Sequence, residues 1–112
     1  MMVIDALIIY GYSDPMKAKR IFYDKAVFPD GAIVEMTIWQ LPTPSSERPH
    51  GLKYSLFYGR DGVRIVGYDN ERGKGDHKHI GQVEVRYKFD SVEKLVADFL
   101  ADVERATNEH DA

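Results

Sequence analysis

An α+β domain, an antiparallel sheet of about five or six strands with one C-terminal helix packed on one face, is the fold class this sequence predicts. Three observations carry that expectation. Apolar residues alternate along several short runs, turn signals separate one run from the next, and a single stripe at spacings of three and four is confined to the last quarter of the chain. At 112 residues the chain is the size of one domain with one core, so residues 1–112 are read as a unit.

Val3 to Tyr10 is apolar but is interrupted by Asp5, has no basic leader and is far shorter than a membrane span, so it reads as a strand. Gly11-Tyr12-Ser13-Asp14-Pro15 is a turn, because Asp-Pro disfavours helix before the ring. Met16 to Phe28 reads as extended, and Pro29-Asp30-Gly31 closes it. In the return strand Ala32, Val34, Met36 and Ile38 share one face, while Ile33, Glu35, Thr37 and Trp39 share the other. Both faces are partly apolar, as befits a central strand.

Leu41 to Gly51 holds three prolines and two serines and is expected to be an exposed connecting loop. Leu52, Tyr54, Leu56 and Tyr58 then alternate with Lys53, Ser55 and Phe57, and Gly59-Arg60-Asp61-Gly62 is a hairpin turn. Val63 to Asp69 returns from it. Gln82 to Phe89 alternates Val83, Val85, Tyr87 and Phe89 with Gln82, Glu84, Arg86 and Lys88, the pattern of a half-buried strand. Asp90 is the expected N-cap of the helix, with Glu93 completing a capping-box-like pair. Val92, Leu95, Val96, Phe99, Leu100 and Val103 form the stripe that lies across the sheet, and residues 107–112, which lack it, are expected to fray.

Composition excludes several classes of function. The absence of cysteine removes disulfides, thiolate metal sites and a cysteine nucleophile, which makes the cytoplasm the default address. The net charge of −3 discourages nucleic-acid binding by the chain as a whole. Its distribution tells otherwise: residues 90–112 carry seven acids against Lys94 and Arg105, a balance of −5, which leaves +2 on residues 1–89. A mildly basic body permits an anionic ligand.

Chemistry concentrates between Tyr68 and Gly81, where two acids beyond Glu71, two imidazoles and three cations share a short glycine-rich connection. A simple hairpin needs only two to five residues of turn chemistry. RNA cleavage without a metal needs a base for the 2′-hydroxyl proton, an acid for the leaving oxygen and cations for the phosphate. His77, His79, Asp69 and Asp76 are the catalytic candidates; Arg72, Lys74, Lys78 and Arg86 are the phosphate-binding candidates; Tyr68 and Trp39 are candidates for stacking a base or binding a partner. If residues 77–79 are extended, both imidazoles lie on one side of the strand with Lys78 on the other.

A metal-dependent hydrolase or nuclease using the His77/His79 pair with Asp69 or Asp76 is an alternative, although His50 and His110 sit in segments with no evident reason to converge on it. The lead reading therefore assigns no metal and no cofactor. A non-catalytic module that binds a protein or forms a homodimer through an exposed sheet face is a further alternative, and a solvated loop whose histidines bond to backbone is the structural one.

Tyr68-Asp69-Asn70 followed by Asp76-His77-Lys78-His79-Ile80-Gly81 resembles the TumE-like toxins of prokaryotic toxin–antitoxin pairs. Phe28-Pro29-Asp30-Gly31-Ala32-Ile33-Val34-Glu35, Trp39-Gln40-Leu41-Pro42 and the closing helix with Phe99-Leu100 share the likeness, which runs from about Lys17 to Arg105 and leaves residues 1–16 as an extension. The resemblance implies a growth-inhibiting toxin, neutralised by a cognate antitoxin that is usually a helix-turn-helix DNA-binding protein. It brings no catalytic residues with it. RNA as the target, through ribonuclease action or translation inhibition, rests on the loop's chemistry and on analogy with other small toxins.

Overall fold

The computed structural model describes residues 18–71 and 73–111. The expected strand at Val3 to Tyr10 and the candidate Arg72 lie outside them. Six strands follow one another as a meander: β1 (Lys19–Val27), β2 (Ile33–Gln40), β3 (Leu52–Arg60), β4 (Val63–Asp69), β5 (His77–Ile80) and β6 (Val83–Arg86). Each pairs antiparallel with the next in the order β1-β2-β3-β4-β5-β6, and among the described residues one helix, α1 (Val92–Asp111), follows them. The predicted α+β class is the observed one.

Alternation decides which face is core. Ala32, Val34, Met36 and Ile38 beside and along β2, Tyr54, Leu56 and Tyr58 of β3, and Val66 and Tyr68 of β4 are buried together with Leu95, Phe99 and Val103 of α1. Tyr68 meets Phe99 edge-on at 5.6 Å between ring centroids, a favoured quadrupole geometry, and so fixes the face on which the helix lies. The β3–β4 hairpin turns at Asp61 and Gly62, both with positive φ, as a two-residue turn matched to strand twist requires.

Three expectations are corrected. The helix is capped by Ser91, not Asp90: Ser91 Oγ accepts the Lys94 N–H at 3.1 Å, the bond from N-cap to third helical residue. The strand expected over Gln82–Phe89 is only Val83–Arg86, and Val83 and Val85 are exposed because they stand on the last strand, past the reach of α1. Leu100 likewise faces solvent. The helix runs to Asp111, and the Thr107 hydroxyl in it lies 3.2 Å from that of Tyr58.

Candidate functional site

The pleat sends Tyr68 into the core and therefore sends Asp69 to the face turned away from α1. Asp69 pairs with His77 across β4 and β5, and Gly67 pairs with His79, so Asp69 and both imidazoles stand on that face. Gly81 and Gln82 form a two-residue turn that sets Ile80 against Val83, which brings Glu84 opposite His79 and Arg86 opposite His77. Sheet register alone has assembled the group.

His77 is its centre. The ring is 4% exposed, with Nδ1 donating to the Gly75 carbonyl at 3.0 Å and Nε2 lying 2.9 Å from Asp69 Oδ1 and 3.3 Å from Glu84 Oε2. Gly75 has φ +71, a left-handed conformation that aims its carbonyl back at the ring and that a side chain would strain. His79 packs edge-on against His77 at 5.0 Å, its Nε2 4.0 Å from Asp69 Oδ2 and 3.9 Å from Glu84 Oε2. Burial first, and then the nearby Arg64 guanidinium, lower the His79 pKa and favour the neutral ring. One ligand atom from each of Asp69, His77 and His79 falls within 4.8 Å of the others. An open cleft beside them is lined by Lys74, His77, Glu84, Val85 and Arg86.

A second polar group lies towards the helix side. Asp76 accepts from the Tyr54 hydroxyl at 2.6 Å and from His50 Nε2 at 3.0 Å, while His50 Nδ1 accepts the Leu52 N–H at 3.1 Å. That last bond places the ring proton on Nε2, where it serves the carboxylate. Phe89 packs on the His50 ring at 4.1 Å. Burial and the bond to Asp76 push the Tyr54 phenol far above its ordinary pKa, so Tyr54 remains a donor. Asn70, fully enclosed, bonds like a strand residue: its Oδ1 accepts the Tyr54 N–H and its Nδ2 donates to the Leu52 carbonyl. The polar loop is thereby stitched to β3 and to the proline-rich segment, whose Arg48 donates to the Asn70 carbonyl.

A family model described as Toxin TumE matches residues 8–107. The chain belongs to the TumE toxin family. Comparison with curated proteins and with solved structures gave no match. TumE membership makes the chain the toxin component of a toxin–antitoxin pair and points to an antitoxin as its partner. The match begins inside the segment read as an extension and spans both polar groups. No helix among the described residues is long and apolar enough to cross a membrane.

Set against this TumE fold, the sequence-derived candidates divide. Asp69, His77 and His79 come together, with Lys74 and Arg86 at the adjoining cleft. Asp76 does not join them; its carboxylate is committed to Tyr54 and His50. Lys78 points to the helix side and pairs with Asp102 at 3.2 Å. Tyr68 is a core residue whose hydroxyl donates to Asp102 at 2.5 Å, and it is closed to a base. Trp39 stands half-buried on the same face as the histidines, with the Arg20 guanidinium 5.9 Å from its ring. Glu84 and His50 are additions that the sequence reading missed. Counting back from a two-residue turn at Gly81-Gln82 would have found Glu84. His50 reaches Asp76 across 26 positions, and no local pattern announces that.

Proposed function

We propose that this TumE-family chain is a toxin acting on RNA, and that Asp69, His77, His79 and Glu84 form its working site. The convergence of two imidazoles and two carboxylates on one sheet face carries the reading. Cleavage by the 2′-hydroxyl needs one group to take a proton and another to return one to the leaving oxygen; His79 and the exposed Glu84 are offered for that exchange, with the buried His77 as the ring they pack around. Asp69, directly across from His77, holds that buried ring in place through Nε2 at 2.9 Å, while Nδ1 is bonded to the Gly75 carbonyl. Arg86 and Lys74 border the cleft as cations for the phosphate. Arg20 and Trp39, on the same face towards β1, offer a cation and a ring on which a base stacks.

The cognate antitoxin, on this reading a helix-turn-helix protein, neutralises the toxin in the cytoplasm. Inducing the wild type and a His77→Ala/His79→Ala double variant in cells tests the site. Growth arrest and RNA loss with the wild type, and neither with a double variant that retains its circular dichroism spectrum, support it. Equal arrest by a folded double variant removes the histidines from the mechanism.

The alternative of a purely protein-binding module draws on a different feature. Ile80, Val83 and Val85 are exposed on the helix side of the last two strands, and among the described residues the outer edge of β6 pairs with no further strand. That surface suits an antitoxin contact and does not compete with a site on the opposite face.

A further inference from the structure

We infer that the Asp69, His77, His79 and Glu84 group is a binding site for one divalent transition-metal ion, with His77 Nε2, His79 Nε2 and an Asp69 oxygen as ligands and Glu84 as the fourth. The inference rests on the reading of this group as the working site, and it deepens that reading by naming a ligand. In the loaded protein both imidazoles are ligands, and the ion takes the place of the proton transfer offered to His79 above.

The hydrogen-bond bookkeeping at His77 carries the argument. Its Nδ1 faces a carbonyl oxygen, that of Gly75, and so must donate. In the neutral ring Nε2 then holds a lone pair, yet that lone pair points at Asp69 Oδ1 at 2.9 Å and at Glu84 Oε2 at 3.3 Å, both of them acceptors. An acceptor aimed at two acceptors inside a nearly closed site is satisfied by a positive centre between them. His79 Nε2 faces the same two carboxylates, 4.0 Å from Asp69 Oδ2 and 3.9 Å from Glu84 Oε2, so two ring nitrogens and two carboxylates look onto one point. One dication accepts lone pairs from all four.

Ligand chemistry agrees with this. A metal-bound imidazole characteristically donates its other ring N–H to a backbone carbonyl, which fixes tautomer and orientation, and the Gly75 carbonyl already does so for His77. Two imidazoles with carboxylates suit zinc, manganese or cobalt rather than magnesium, which prefers an all-oxygen shell. The three ligand atoms, within 4.8 Å of one another, need to draw in to about 3.3 Å for bonds of about 2.1 Å, a movement that side-chain rotation can supply. The cleft lined by Lys74 and Arg86 adjoins Glu84 and His77 and gives an anionic substrate access to the ion's outer side, where positive charge stabilises a phosphate in cleavage.

Purified full-length chain without an affinity tag, titrated with zinc chloride and separately with cobalt chloride, tests the inference. The expected results are one ion per chain, a melting temperature that rises with added zinc, and cobalt absorption bands of low-coordinate geometry. Asp69→Asn and His79→Gln should each weaken zinc binding at least 100-fold, while His50→Gln/His110→Gln leaves it unchanged. Absence of binding by either metal overturns the site yet leaves the toxin reading intact. Binding that survives both Asp69→Asn and His79→Gln also overturns it, because the ion is then elsewhere. Binding lost in His79→Gln, in a variant that still arrests growth, upholds the metal site and defeats the proposed function instead.

Discussion

Asp69 and His77 are register partners in adjacent strands, with Oδ1 and Nε2 2.9 Å apart, whereas Asp76, the residue next to His77 in sequence, faces the other way and binds Tyr54 and His50. Two acids of one polar connection thus serve different ends. The sheet pleat places Asp69 on the face with the imidazoles, and a three-member hydrogen-bond group spends Asp76 on holding the loop in place.

Asn70 is the residue on which that loop's position depends. Replacing it with alanine leaves the Tyr54 N–H and the Leu52 carbonyl buried without partners. At about 1–3 kcal/mol for each stranded group, Asn70→Ala should cost about 2–6 kcal/mol in urea unfolding. A change below about 0.5 kcal/mol would show that water replaces the amide.

Stability should also respond to acid through Asp102. Burial alone would raise its pKa, but hydrogen bonds from Tyr68, Arg105 and Lys78 outweigh that and hold it below the ordinary aspartate value. A carboxyl depressed by folding contributes stability that is fully present above its unfolded pKa of about 3.9 and is lost as pH falls towards the folded value. Asp102→Asn should therefore lower the melting temperature at pH 7 and flatten its fall below about pH 4. An unchanged acid limb in the variant would place the acid sensitivity elsewhere.

Much of the fold was legible because its physics is local. The alternation of Ala32 to Ile38 and of Leu52 to Tyr58, and the Asp61-Gly62 turn, specify strands, faces and one reversal from neighbouring residues alone. The i, i+2 spacing of His77 and His79 likewise placed both rings on one side. What escaped was set by distance along the chain. Nothing near Val83 and Val85 tells that the helix stops short of them, and nothing near Asp76 tells that His50 will claim it. Ser91 rather than Asp90 caps the helix through a one-residue choice that either side chain suits.

Trp39, the chain's one tryptophan, reports directly on RNA at the proposed surface. Its ring stands beside Arg20 on the face that carries the histidines. Adding a single-stranded RNA oligonucleotide should quench its fluorescence saturably, with weaker binding as salt is raised. Arg20→Ala should weaken binding by about 5- to 150-fold if it loses the 1–3 kcal/mol of a stacking or charge contact. Fluorescence indifferent to RNA would remove Trp39 from the binding surface.

Parallel induction of Asp69→Asn and Asp76→Asn puts the account to its most direct test, with growth arrest measured alongside soluble, folded protein. Asp69→Asn should fold like the wild type and lose growth inhibition by about 100-fold or more, the scale of losing an acid–base group or a metal ligand. Asp76→Asn should lower the melting temperature and keep its toxicity wherever it remains folded. A toxic Asp69→Asn beside a folded but harmless Asp76→Asn would contradict the assignment and move the working site to the His50, Tyr54 and Asp76 group.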